Sequence, residues 1–151
     1  MLRKVKGFVA PSNGVTWLEP TEQRGRSDRT EGTPDADLTH RVIGCFLVAY
    51  RGVGFGYPEA FYSAALEILF RDAGIRARRE HGMDVMFRGV SFGRFRLDYL
   101  IEDRLVLELK AGHQMPPGSR AQLLTYLRMA KKRVGLLLFF GPCAEIERVS
   151  L

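Results

Sequence analysis

One stretch, Phe92–Lys110 (FGRFRLDYLIEDRLVLELK), limits what this chain can fold into more than any other. Phe95, Leu97, Tyr99 and Ile101 alternate with Arg94, Arg96, Asp98 and Leu100. Further on, Leu105, Leu107 and Leu109 alternate with Val106, Glu108 and Lys110. A period of two is the signature of half-buried strands, here two strands joined as a hairpin. The register decides where the acids go. A two-residue turn at Glu102–Asp103 would set Asp98 against Leu107 and send the two carboxylates to opposite faces, because a slip of one residue flips every side chain. A three-residue loop, Glu102 to Arg104, sets Asp98 against Glu108 and gathers Phe95, Leu97, Tyr99, Ile101, Leu105, Leu107 and Leu109 on one face. The apolar pattern selects that loop, a common hairpin length. The expectation is a buried apolar face backed by a second face carrying Arg96, Asp98, Glu108 and Lys110.

Around this hairpin the chain reads as a mixed α/β sandwich. Helical spacing of Val42, Ile43, Phe46, Leu47 and Tyr50 predicts a helix over 38–50, capped by Asp37 or Thr39. Pro58 opens and Gly74 closes a second helix, over 58–73. Residues 75–81 and 84–87 read as two short strands that pair across Gly82. Ser119 caps a third helix, to Ala130. The unbroken apolar run Val134–Phe140 fits a strand buried on both faces, and 145–150 an edge strand. Residues 1–37 show no lasting periodicity and read as a disordered or loosely attached arm, with 38–151 as the folded domain.

Composition narrows the function classes. With 151 residues, 46% hydrophobic and 26% charged, the chain is one ordinary globular domain with enough length for a core without staples. It has no apolar run long enough for a membrane span and no signal-peptide pattern. Cys45 and Cys143 stand far apart in no metal-ligand spacing, which reads as free thiols in a reducing cytoplasm. The net charge is +6, and residues 1–37 hold six basic and six acidic residues, so the whole excess lies in 38–151. A basic domain favours polyanionic partners.

Asp98 and Glu108-Leu109-Lys110 form the pattern D-x9-E-x-K. Metal-assisted phosphodiester hydrolysis needs such a set. Two acids hold a hard divalent cation through oxygen, the cation polarises the phosphoryl oxygen and activates water, and a lysine on the same strand face orients that water or stabilises developing charge. An ordinary salt bridge on a solvated face would use the same residues. Gln122 and Tyr126, four apart on the third helix, can reach a phosphate or base. Alternatively, Gln122 faces solvent and Tyr126 belongs to the core. Glu59 is a further carboxylate for the metal, or an acid favoured by the helix dipole. Arg96, on the acidic face of the hairpin, is a candidate substrate contact.

Gly56-Tyr57-Pro58-Glu59-Ala60-Phe61-Tyr62 resembles the motif that names the GxxExxY proteins. The order Leu38-Thr39-His40-Arg41-Val42-Ile43-Gly44, that motif, Asp98, Glu108-Leu109-Lys110-Ala111, then Ala121-Gln122-Leu123-Leu124 with Tyr126-Leu127, is similar to that family over about three quarters of the chain. The family in turn resembles the PD-(D/E)xK, restriction-endonuclease-like nucleases, although Leu97 stands where their name has proline. The resemblance implies a mixed sheet flanked by helices, with Mg²⁺ (or Mn²⁺) on Asp98 and Glu108 supported by Glu59. It further implies Lys110 as the catalytic lysine, Gln122 and Tyr126 toward substrate, and nucleic acid (DNA ahead of RNA) as partner. Two other readings use the same residues: a module of this fold that binds nucleic acid without turnover, and an interaction protein whose acids only form salt bridges.

Deleting residues 1–36 is expected to leave cooperative unfolding intact, because that segment carries little apolar periodicity. Thermal melting of the truncated and full chains, compared side by side, measures this. Loss of the cooperative transition would place Trp17 and its neighbours in the core.

Overall fold

The computed structural model describes residues 35–151. The elements run α1 (Ala36–Val53), α2 (Glu59–Asp72), β1 (Ala77–Phe87), β2 (Val90–Ile101), β3 (Leu105–Ala111), α3 (Ser119–Ala130), β4 (Val134–Phe140) and β5 (Ala144–Ser150). One sheet holds the strands in the order β1-β2-β3-β4-β5. Only β3 and β4 are parallel, joined by the crossover helix α3; the other neighbours are antiparallel. This is the expected mixed sheet flanked by helices. Nearly all of the expected arm lies outside the described residues. Among the described residues no helix is long and apolar enough to cross a membrane.

Two cores follow from the two sheet faces. Leu105, Leu107, Leu109, Val134, Leu136, Leu138 and Phe140 pack against α1 and α2 through Val42, Phe46, Tyr62, Leu66 and Phe70. On the other face Val106 and Leu137 meet α3 through Leu123, Tyr126 and Leu127. Every residue of β4 is buried, as an apolar run sandwiched by helices requires. Gly135 lets α3 approach: a Cβ there would stand 2.8 Å from Leu123 Cδ1.

The central hairpin has the three-residue loop, with Ile101 opposite Leu105 and Tyr99 opposite Leu107. Glu102 and Asp103 take positive φ, 49° and 57°, which is costly for residues with a Cβ. Their carboxylates are held from β1 and its approach: Arg76 N–H donates to Glu102 Oε1 at 2.8 Å, and Arg78 pairs with Asp103.

Several expectations need correcting. Residues 75–81 and 84–87 do not pair with each other; they merge into the single strand β1, which pairs along its length with β2. Gly82 is no turn but lies opposite Arg96 within the ladder, and the Arg94 guanidinium lies over it, 2.6 Å from where a Cβ would stand. Helix α1 starts at Ala36, with neither Asp37 nor Thr39 capping it; Asp35 takes the cap position and its carboxylate accepts from Arg104 Nε at 2.6 Å. Gly118, not Ser119, is the cap residue of α3, and the Ser119 hydroxyl turns back to donate to the Pro116 carbonyl at 2.7 Å. Finally, the apolar face of the hairpin is not continuous. Tyr99 and Ile101 join the α1/α2 core, whereas Leu97 joins the α3 core and the Phe95 ring meets Tyr126 at 6.0 Å. The switch falls at Asp98, where Glu80 across the ladder takes φ 50° and the regular pairing is interrupted.

Replacing Gly135 by Ala is expected to cost about 1–3 kcal/mol, through overpacking against Leu123. Gly44→Ala, mid-helix where a Cβ meets nothing, is expected to stabilise by about 0.5–1 kcal/mol. Denaturant midpoints of the two variants should therefore move in opposite directions.

Candidate active site

The site grows from an incomplete ladder. Pairing between β2 and β3 stops at Tyr99–Leu107, so the next inward amide of β3, that of Leu109, lacks a main-chain partner on β2. The Asp98 side chain takes that place: Leu109 N–H donates to Asp98 Oδ2 at 2.7 Å. Beyond this bond the strands separate, and the notch between them is lined by β3 residues with no strand on that side.

Glu108 and Lys110 follow on β3, on the face toward α3. The central position of β3 buries Glu108 almost completely, at 2% exposure. Lys110 Nζ donates to its Oε1 at 2.5 Å, while the buried Oε2 has no hydrogen-bond partner. A buried carboxylate oxygen left bare is costly. Burial first, then the negative charge of Asp98, pushes the Glu108 carboxyl up to about 7 against the opposing pull of Lys110. Asp98 is also raised by burial, although the Leu109 N–H and the charges of Lys110 and Arg96 oppose it. Burial draws the Lys110 ammonium down, but its bond to Glu108 and the charges of Glu108, Asp98 and Glu59 outweigh that and leave it raised.

Glu59 enters from the opposite helix layer. It opens α2, and its carboxyl is raised by burial and by Asp98, with Lys110 opposing. The loop before it is set by glycines and a tyrosine. Gly54 and Gly56 take φ 81° and 107°, a region that favours glycine. Tyr62 then fixes the loop: its hydroxyl donates to the Gly54 carbonyl at 2.8 Å and accepts from Tyr57 N–H at 3.2 Å. The Tyr62 ring stacks on Phe140, centroids 4.1 Å apart. So of the pair singled out in the sequence, Tyr62 is a wholly buried anchor and Glu59 the group presented. The spacing alone assigned Tyr62 no such role; the signal available was a tyrosine three residues after an acid at a helix start.

From α3, Gln122 Nε2 donates to the Tyr126 hydroxyl at 2.7 Å. Tyr126 is buried in the α3 core, yet the charges of Glu108, Lys110 and Asp98 all act on its hydroxyl, so it borders the site. The Tyr126 ring is thus core, as one of the alternatives has it, with its hydroxyl bordering the acids. Arg96 is within electrostatic reach of Asp98, but its guanidinium is largely exposed and leans toward Glu80 at 3.8 Å. His113, on the loop after β3, is exposed with its ring against Phe55.

Among the described residues no three His, Cys, Asp or Glu side chains converge as a ready metal cage. Two carboxylates are nevertheless a fitting donor set for a small hard cation, which keeps several waters and takes its remaining ligands from substrate phosphate. The bare Glu108 Oε2 and the mutual repulsion of Asp98 and Glu108 are what a cation at this point would relieve.

A family model described as the PD-(D/E)XK nuclease superfamily matches residues 36–149, which includes every element of the fold but the last residue of β5. Among solved structures, the chain is similar to one described as "Crystal structure of SSO0001", with 17% identity and a TM-score of 0.48 over 77% of this chain. It spans 59% of that structure's length. No curated protein matches.

The raised Glu108 carboxyl gives the metal-free protein a pH signature. In the unfolded chain this group titrates near its ordinary value of 4.5, in the native protein near 7. Between the two, the native state keeps a proton that the unfolded chain has released, so stability is fully present below 4.5 and falls as pH rises through about 7. Denaturant unfolding in chelator at pH 5 and pH 8 should show this decline. Glu108→Gln should flatten it, leaving the smaller contributions of Asp98 and Glu59, which have the same sign.

Proposed function

The chain belongs to the PD-(D/E)XK nuclease superfamily, and from that membership we propose that it is a Mg²⁺- or Mn²⁺-dependent nuclease hydrolysing phosphodiester bonds of nucleic acid, DNA ahead of RNA. The observation that carries the reading is Glu108: a glutamate buried beside Asp98, one oxygen held by Lys110 and the other without a partner, at the end of an opened strand pair. A purely structural salt bridge gains nothing from a second buried carboxylate that repels it. Within the superfamily we assign the chain to the GxxExxY proteins. Gly56 supplies the left-handed turn, Tyr62 locks the loop to Phe140, and Glu59 is thereby held near Asp98 and Lys110.

Each residue has a role that follows from its surroundings. Asp98 and Glu108 would hold the cation, with Glu59 as the supporting acid from α2. When bound, the cation supplies Lewis-acid polarisation of the phosphoryl oxygen and a more acidic water. Lys110, charged and aimed at the same notch, orients the attacking water and offsets negative charge developing on phosphorus. Asp98 has a second task, since its bond to Leu109 N–H keeps the notch open. Gln122 holds the Tyr126 hydroxyl as an acceptor, so that the phenol proton can point toward a phosphate oxygen. Arg96 remains free to rotate from Glu80 to the nucleic-acid backbone. The basic excess of residues 38–151 favours the polyanion overall.

Calorimetric titration of Mn²⁺ beside a gel assay on single- and double-stranded DNA and RNA tests the reading. Wild type is expected to bind metal and cleave, and chelator to stop cleavage. Glu108→Gln should lose both metal affinity and cleavage. Lys110→Ala should bind metal near normally while kcat falls by about 10²–10³-fold, the scale of losing one electrostatic stabiliser. Metal binding without cleavage of any substrate would leave a binding module. Equal and negligible metal binding by wild type and Glu108→Gln would reduce the three residues to a salt bridge.

A further inference from the structure

Beyond the notch, β1 and β2 continue as a two-stranded ribbon. Strand β2 is 12 residues long, but only Tyr99, Leu100 and Ile101 pair with β3; from Val90 to Leu97 its neighbour is β1 alone, with a bulge at Phe92. All residues from Val90 to Arg96 are exposed. Their composition is unusual for a free surface: Phe87 is 65% and Phe92 70% exposed, with Phe95 partly so. Exposed aromatic side chains grouped in this way mark a contact surface.

The ribbon's cross-strand pairing defines two faces. Met83 and Phe95 are opposite one another, and Met83 packs on the α3 core, so this face looks the same way as α3 and the site. Phe95 closes the gap: its ring lies edge-on to Tyr126, whose hydroxyl borders the acids. Alternation along β1 puts Phe87 on the same face as Met83 and Phe95, so an aromatic surface leads from the candidate active site to the ribbon's end, while Phe92 stands at the bulge opposite Met86. Arginines flank it. Residues 77–97 contain Arg78, Arg79, Arg88, Arg94 and Arg96 against the two acids Glu80 and Asp84. Arg88 lies over the Phe87 ring at 5.5 Å, an arginine–aromatic pairing suited to phosphate and base together.

Resting on the nuclease reading given above, we infer that this ribbon is the substrate-engaging arm of the protein, and that it takes a single-stranded stretch of nucleic acid, stacking unpaired bases on Phe92 at the bulge by the ribbon's end and on Phe87, and leading the strand along the Phe87 face past Phe95 into the notch. Stacking needs a base whose face is open, which a regular duplex does not offer. The excess of arginine supplies the phosphate contacts that a sequence-tolerant strand binder uses. A second copy of the chain would be a poorer occupant, since two such ribbons bring like charges together.

The test is fluorescence anisotropy in chelator, on the full chain, with labelled single-stranded DNA, single-stranded RNA and the corresponding duplex. Wild type is expected to bind single strands more tightly than duplex. The variant Phe87→Ala/Phe92→Ala should lose about ten-fold or more in single-strand affinity and with it the preference over duplex, while melting as wild type does, because both rings are exposed. Phe92→Trp should retain binding, since it keeps a stacking face. Arg94→Ala should lower the salt dependence by about one counterion. Unchanged single-strand affinity in the double alanine variant overturns the inference. So does no binding by wild type, or a wild-type dimer that the variant converts to monomer, which would make the ribbon a self-interface. Single-strand binding through the ribbon without cleavage under Mn²⁺ would uphold the arm while the nuclease reading fell. Cleavage with ribbon-independent binding would do the reverse.

Discussion

A strand buried on both sides that nevertheless carries a carboxylate is the constraint on which this structure depends. Strand β3 sits between β2 and β4 and between two helical layers, and Leu105 to Leu109 are all buried. Placing Glu108 in such a strand is unfavourable unless something compensates the desolvated charge. Lys110 compensates one oxygen. The other oxygen is buried without a hydrogen-bond partner.

The same strand explains why the site is where it is. Two neighbours pair with β3 unequally: β4 follows it from Leu105 to Ala111, while β2 leaves after Leu107. Asp98 both marks and maintains the departure by substituting its carboxylate for a main-chain acceptor. One hydrogen bond thus ties ladder geometry to site chemistry. Burial raises Glu108 most, and the Asp98 charge that this bond fixes adds to it.

The helices contribute single residues, one from each layer. Helix α2 begins where the loop 54–57 is clamped by Tyr62, so its first residue, Glu59, is delivered to the acids from one layer. Helix α3 brings Tyr126 from the other, braced by Gln122. Stacking of Tyr62 on Phe140 and packing of Leu123 against Gly135 both anchor on β4, so the two layers are indexed to the same strand.

Much of this could be read in the sequence, and the reason is local. Alternation with a period of two required a hairpin, the apolar residues selected its three-residue loop, and that loop brought Asp98 and Glu108 to the same place, just past the last pair, Tyr99–Leu107. The uniformly apolar run from Val134 to Phe140 likewise declared a strand covered on both sides. What alternation could not reveal was the break at Asp98, because a side chain that replaces a main-chain partner looks, in one dimension, like any other polar position. Nor could it reveal that the acidic face is covered by α3, which makes Glu108 a buried and raised carboxyl rather than a solvated one. Gly82 read as a turn because glycine often is one; instead it sits within the β1–β2 ladder, where the Arg94 guanidinium crosses over it from β2. The exposed ribbon was hidden for the same reason: apolar residues in a strand look like core until it is known which strands have a neighbour. Periodicity determined the elements and their register. Only the tertiary structure decided which faces meet, and therefore which charges lose their water.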